Sequence, residues 1–176
     1  MATDLTGLSV RLDMNLNVQA QKAADLSTPT ENLNASKAIA LAFGTGANNG
    51  NMEWSDRRTL AASTNETLDL VGVLAAPLSP VVSFSKIKML LIKNTSDALG
   101  TPTIAAIKIE PGATYPPDNC PTIPKLPAGG VVLIACGDAD GFLGSLAGGT
   151  KDLLKISNLD GSYGCQYDII IVGESA

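Results

Sequence analysis

Histidine is absent from the 176 residues. That one absence excludes Ser-His-Asp and Cys-His catalysis, histidine-ligated metals and histidine acid–base chemistry. Aromatic residues make up only 4% of the chain, with a single Trp. Sugar-binding clefts are usually built on such rings, so a glycosidase is disfavoured. The carboxylates it would need (Asp56, Glu66, Asp69, Glu110, Asp138, Asp140, Asp152, Asp168) are scattered. No S-x-x-K element stands in a context that suggests a Ser–Lys nucleophile. No catalytic residue, cofactor or metal is expected.

Charge is also scarce. Charged residues are 16% of the chain, against roughly a quarter in an ordinary soluble domain. Surface must therefore be Asn, Ser, Thr, Gly and Ala, or be covered by partners, which points to an oligomer or a component of an assembly. The net charge is −5. The basic clusters, Arg57-Arg58 and Lys86-Lys88-Lys93, are small and set among apolar residues. Neither resembles a phosphate-binding surface, so no nucleic-acid partner is expected. No run of 18 or more apolar residues occurs, so no membrane-spanning helix is expected. Met1-Ala-Thr-Asp lacks the basic and apolar start of a signal peptide, which predicts a chain made in the cytoplasm.

The three cysteines, at 120, 136 and 165, form no C-x-x-C pair and fit no zinc pattern. Cys136, in an apolar run, reads as a small buried hydrophobe. Cys120, between Asn119 and Pro121, reads as exposed.

What is present is alternation. Leu8, Val10, Leu12, Met14, Leu16 and Val18 point one way; Ser9, Arg11, Asp13, Asn15 and Asn17 point the other. A period of two marks a β-strand with one dry face. Either that face covers the protein's own core, or it lies on a neighbouring subunit. Burying a strand of this length on a neighbour is worth on the order of 5–10 kcal/mol before ordering costs. The following stretch, Gln19 to Ser36, is polar and reads as a linker or arm. Ala20 to Leu26 has the composition of a short helix, but Pro29 closes that possibility.

Beyond it, short apolar runs alternate with Gly and Pro punctuation. Strands are expected over Lys37–Phe43, Met52–Ala62, Thr67–Leu74, Val81–Phe84, Ile87–Lys93, Thr103–Ile109 and Gly130–Cys136. The runs Asp152–Asn158 and Gln166–Val172 read as a hairpin across Asp160-Gly161. Pro111 to Pro127 reads as a long surface loop. The fold class is all-β: a β-sandwich or jelly-roll-like single domain over 37–176, with an extended N-terminal strand and arm over 1–36.

Two motifs imitate chemistry. Gly44-x-Gly46-x-x-x-Gly50 suggests a phosphate loop but lacks the Gly-Lys-Ser/Thr ending, so a plain loop is expected. Asp138-Ala-Asp140-Gly141 opens like a calcium loop, but Gly149 stands where the bidentate Glu belongs, so a turn is expected. Trp54 is either a core aromatic or an interface anchor stacked on Arg57 or Arg58. The candidate interface residues are therefore the six of the first strand with Trp54, Arg57 and Arg58.

From about Ala40 onward the chain resembles a set of small proteins encoded among the head genes of tailed bacteriophages. The likeness rests on Gly-Thr-Gly-Ala-Asn at 44–48, Trp-Ser-Asp-Arg-Arg-Thr-Leu-Ala-Ala-Ser at 54–63 and Glu-Thr-Leu-Asp-Leu-Val-Gly-Val-Leu at 66–74. It continues through Pro-Ala-Gly-Gly-Val-Val-Leu at 127–133, Gly-Gly-Thr-Lys-Asp-Leu-Leu-Lys-Ile-Ser-Asn at 148–158 and Tyr-Asp-Ile-Ile-Ile-Val-Gly at 167–173. The Pro- and Cys-containing stretch from Pro111 to Lys125 departs from the group. The resemblance implies a capsid decoration, or cement, protein. Such a protein is β-rich, often a homotrimer, and sits on the exterior of the virion shell, where it bridges neighbouring major capsid proteins. The rival expectations are a tail tube or tail-completion protein, and a carbohydrate-binding, adhesin-like module.

Overall fold

The computed structural model describes residues 7–21, 30–76, 79–96 and 105–175. Among them the chain is all-β. In chain order the strands are β1 Val10–Gln21, β2 Thr30–Phe43, β3 Asn49–Gly50, β4 Met52–Leu60, β5 Asn65–Asp69 and β6 Val71–Ala76. They continue as β7 Ser79–Asn94, β8 Ile107–Pro111, β9 Ile123–Leu126, β10 Val131–Ala135, β11 Leu153–Asn158 and β12 Cys165–Ser175.

Two sheets form the body. One has the order β10-β7-β12-β4, with β6 paired to the first half of β7; the other has the order β5-β11-β8-β9. They pack face to face as a sandwich. The first sheet contributes Trp54, Leu90, Ile92, Tyr167, Ile169 and Ile171 to the core. The second contributes Leu68, Ile107, Ile109, Leu154 and Ile156. All are isolated by alternation, so each strand turns every second side chain inward.

β12 sits at the centre of the larger sheet, between β7 and β4. Its run Ile169-Ile170-Ile171-Val172 is apolar on both sides because both faces are covered in part. A register shift falls between Val172 and Gly173. The carbonyl of Lys86 approaches so closely there that a Cβ on Gly173 would lie 2.0 Å from it.

Several expectations need correction. Residues 30–36 are strand, not linker: all of β2 pairs antiparallel with β1, from Val10↔Leu41 to Gln21↔Thr30. Ala20 and Gln21, also read as linker, belong to β1; residues 22–29 lie outside the described residues. Val81–Phe84 and Ile87–Lys93 are parts of one 16-residue strand. The expected hairpin across Asp160-Gly161 does not form, because β11 and β12 belong to different sheets. Asp160 does make a turn, its Oδ1 accepting from the Ser162 and Tyr163 amides, both at 2.8 Å. That turn crosses between layers and docks on the 61–64 turn through Ser63 N to Asp160 O at 2.8 Å. The segment 111–127 holds one strand, β9, and Pro124 lies in it at the sheet edge, where a missing N–H is tolerated. Cys120 packs against the core instead of lying exposed. Cys136 is half-buried, Cys165 is buried, and all three thiols are free.

Candidate functional site

β1 and β2 form a long antiparallel ribbon that stands clear of the sandwich over most of its length. Directly opposed residues share a face. The register therefore puts Val10, Leu12, Met14, Leu16 and Val18 on one side, together with Leu41, Ile39, Ala35 and Leu33. The opposite side carries Arg11, Asp13, Asn15, Asn17 and Gln19 with Ser36, Asn34 and Asn32. One face is a continuous apolar strip interrupted by a single cation, Lys37, opposite Met14. The other is polar, with Arg11 and Asp13 paired at 2.7 Å.

The strip has two halves with different surroundings. At its base, Leu8, Val10, Ile39 and Leu41 pack on Met89, Leu133, Ala135, Ile170 and Val172. These belong to the outer face of the larger sheet, remote from the central core. The distal half is covered far less: Met14 is 42% exposed, Leu16 58%, Val18 45% and Leu33 60%. A two-stranded ribbon alone is marginal in water. Completing the burial of those four side chains is worth on the order of 1 kcal/mol each.

The base is tied down by backbone. Asn51 N donates to Gly173 O at 3.0 Å, and Asn51 exchanges side-chain hydrogen bonds with Ser175. The loop 44–48, read from sequence as an imitation phosphate loop, lies here. Its Gly46 amide donates to Glu174 Oε1 at 2.7 Å, so the anion it holds is the protein's own carboxylate. Glu174 pairs in turn with Lys88, whose Nζ also donates to the carbonyls of Asp138 and Ala139. The imitation calcium loop is thus a turn capped by a buried lysine. Asp138 Oδ1 accepts from the Asp140 amide at 2.8 Å, and Gly141 at φ 71° passes the Ile87 carbonyl where a Cβ would clash. Among the described residues no group of three or more Cys, Asp or Glu side chains is placed to hold a metal ion.

The two outer faces of the sandwich differ. On the larger sheet the register aligns Ala135, Met89, Val172 and Glu53 in one row. Leu133, Leu91, Ile170 and Ser55 form the next, and Val131, Lys93, Asp168 and Arg57 the third. The first two rows are apolar except at the β4 edge. On the smaller sheet the outward residues are polar apart from the half-buried Leu153: Glu110 bridges Lys108 and Lys155, the latter at 3.1 Å. The apolar outer face is the one on which the ribbon base sits.

The residues singled out from sequence divide into three places. Leu8, Val10 and Leu12 lie at the half-buried base of the strip, and Met14, Leu16 and Val18 on its exposed half. Trp54 is 1% exposed, in the central core, so the interface-anchor reading is corrected: no outside partner reaches its ring. Arg57 and Arg58 point to opposite faces of β4, as neighbours in a strand must. Arg57 forms a two-pronged pair with Asp168 at 2.6 and 3.0 Å on the outer face. Its guanidinium holds the Asp168 carboxyl below the usual range. Arg58 forks onto Glu66 and reaches Asp56 at 3.0 Å. Glu66 also accepts from the Tyr167 hydroxyl at 2.6 Å. Burial first, and that hydrogen bond second, push the Tyr167 phenol far above its ordinary value.

Sequence reasoning missed the β2 half of the strip. Leu33, Ala35, Ile39, Leu41 and Phe43 do alternate, but Lys37 breaks the series and alanines at 38, 40 and 42 blur it. The site therefore defines a class rather than a chemistry: an all-β sandwich carrying a ribbon with one unfilled apolar face. No protein-family model, curated protein or solved structure matches the chain.

Proposed function

We propose that this chain is a structural subunit of a shell, a capsid decoration protein that binds the outside of a phage head and bridges neighbouring major capsid proteins. The observation that carries the reading is the distal half of the strip, four large apolar side chains left about half-exposed on a ribbon that adds nothing to the central core. Such a surface has a use only when something covers it. The low charge of the chain and its resemblance to phage head proteins support the same reading. A subunit that binds only the assembled shell shifts assembly by mass action, and several copies gripping at once add avidity.

The test adds the full chain to phage heads assembled without it. Co-sedimentation with the heads, and a higher temperature of head disruption, are expected. A chain that stays in the supernatant and leaves head disruption unchanged overturns the reading. Closed hexameric rings without head binding favour a tail tube component instead.

A further inference from the structure

We infer that the exposed half of the strip is covered by a second copy of this chain, the arm of one copy lying on the outer face of the larger sheet of the next. The inference rests on the reading of the strip as a contact surface and names what fills it.

The base of the strip already uses this sheet face, with Leu41 and Val10 seated near Met89, Val172 and Ile170. The adjoining part of the face is unfinished: Leu91 is half-buried and Val131 is 54% exposed. The distal strip has the same chemistry as the base, Leu and Val at a spacing of two, so it suits the same kind of surface. The alternative landing site on the body, the smaller sheet, presents Lys108, Glu110 and Lys155.

Lys37 is the one cation in the strip and makes no ion pair among the described residues. Glu53 ends an apolar row of the receiving face and likewise makes none. A strip laid on that face brings one unpaired cation toward one unpaired carboxylate. In the neighbouring row the Arg57–Asp168 pair is self-neutralised, and the exposed Lys93 there is matched by Glu31, which the register puts on the strip's face at its far end.

Four half-exposed apolar side chains offer roughly 300–400 Å², and their contact buries a similar area on the receiver. One such contact falls short of the roughly 1,000 Å² that a specific interface needs. Two reciprocal contacts between copies reach about 1,200–1,600 Å², the standard size. A single arm on an unrelated surface has no such doubling.

The experiment uses the full chain in solution without heads, with mass measured by light scattering and sedimentation across the micromolar range. The arm variant is Leu16→Asp with Leu33→Asp; the face variant is Val131→Arg. All three positions are exposed, and circular dichroism with thermal melting confirms that each variant folds. The wild-type chain should have the mass of two or more copies, and each variant should self-associate about tenfold or more weakly. Mixed together, the two variants should associate more tightly than either alone but less tightly than the wild-type chain, because the mixed pair rebuilds one of the two reciprocal contacts. A wild-type chain of single-copy mass at every concentration overturns the inference, as does an arm variant of unchanged mass. A mixture that associates no more tightly than the arm variant alone and the face variant alone overturns the assignment of the face.

Head binding separates this inference from the functional reading. A single-copy chain that binds heads through Leu16 and Leu33 leaves the function standing and makes the capsid protein the occupant. An oligomer that never binds heads does the reverse.

Discussion

Lys88 and Glu174 face each other at 3.0 Å, the lysine fully buried and the glutamate nearly so. They stand where β7 and the end of β12 meet the loops 44–48 and 136–141. Lys88 binds the carbonyls of the second loop and Glu174 the Gly46 amide of the first. The pair is thus a joint between the sandwich and the segment that anchors the ribbon. Replacing Lys88 with Met leaves the buried carboxylate with only Lys86 at 3.9 Å and the Gly46 amide, and the loss should approach, without exceeding, the ~3–5 kcal/mol of a broken buried pair. Chemical denaturation should show that loss. Adding Glu174→Gln should recover part of it, because the second change removes the buried charge that lost its nearer partner. Strictly additive losses contradict the joint.

Stability should fall on the alkaline side. Burial raises the Cys120 and Cys165 thiols from 9.0 to about 11 and raises the Tyr167 phenol well above its ordinary 10.0. In each case the folded protein holds its proton more tightly than the unfolded chain. The stabilisation is therefore complete below the unfolded values and is lost as pH rises past them, first through the thiol window and then above pH 10.0. Unfolding free energies from urea titrations should decline from about pH 9 upward, by as much as ~1.4 kcal/mol per pH unit for each group. Tyr167→Phe should flatten the part above the tyrosine window. An unchanged slope in that variant contradicts the assignment.

The close approach at Gly173 makes it intolerant of any side chain. A Cβ there meets the Lys86 carbonyl at 2.0 Å and Phe84 at 3.0 Å. Gly173→Ala should cost about 1–3 kcal/mol as a steric change in a packed sheet, read as a drop in melting temperature. Gly46→Ala, where no atom lies within 4 Å of the added Cβ but φ is +95°, probes backbone strain alone and should cost less.

Thiol accessibility should rank the cysteines. Cys165 is completely buried, whereas Cys120 and Cys136 are half-buried. Under native conditions an aromatic disulfide reagent should leave Cys165 unlabelled, and three thiols should react in denaturant. Rapid native labelling of Cys165 contradicts the placement of β12 at the centre of the sheet.

The all-β sandwich was legible because its core strands obey the period of two, as in Leu154 and Ile156 or Ile169 and Ile171. The β1 half of the arm was legible for the same reason. The β2 half was not: Thr30-Glu-Asn-Leu-Asn-Ala-Ser is poor strand sequence on its own. It is held extended by its pairing with β1, a relationship that composition does not display. Asp160-Gly161 misled because turn chemistry reports a local bend and not which sheet the chain enters next. The Lys88–Glu174 joint spans 86 positions of sequence, beyond any local pattern. Its one trace was a lysine inside a strand that reads as apolar on both faces.

Oxidation of Met14 tests the central claim most directly. Met14 lies on the exposed half of the strip, while Met89 is 9% exposed beneath its base. Assembled particles carrying the chain are treated with peroxide, and sulfoxide at each methionine is followed by mass spectrometry. If the strip is a contact surface, Met14 in the particle is protected to the same degree as Met89. If Met14 in the particle oxidises at the rate of a free methionine while Met89 stays reduced, the strip faces water in the finished assembly and the account fails.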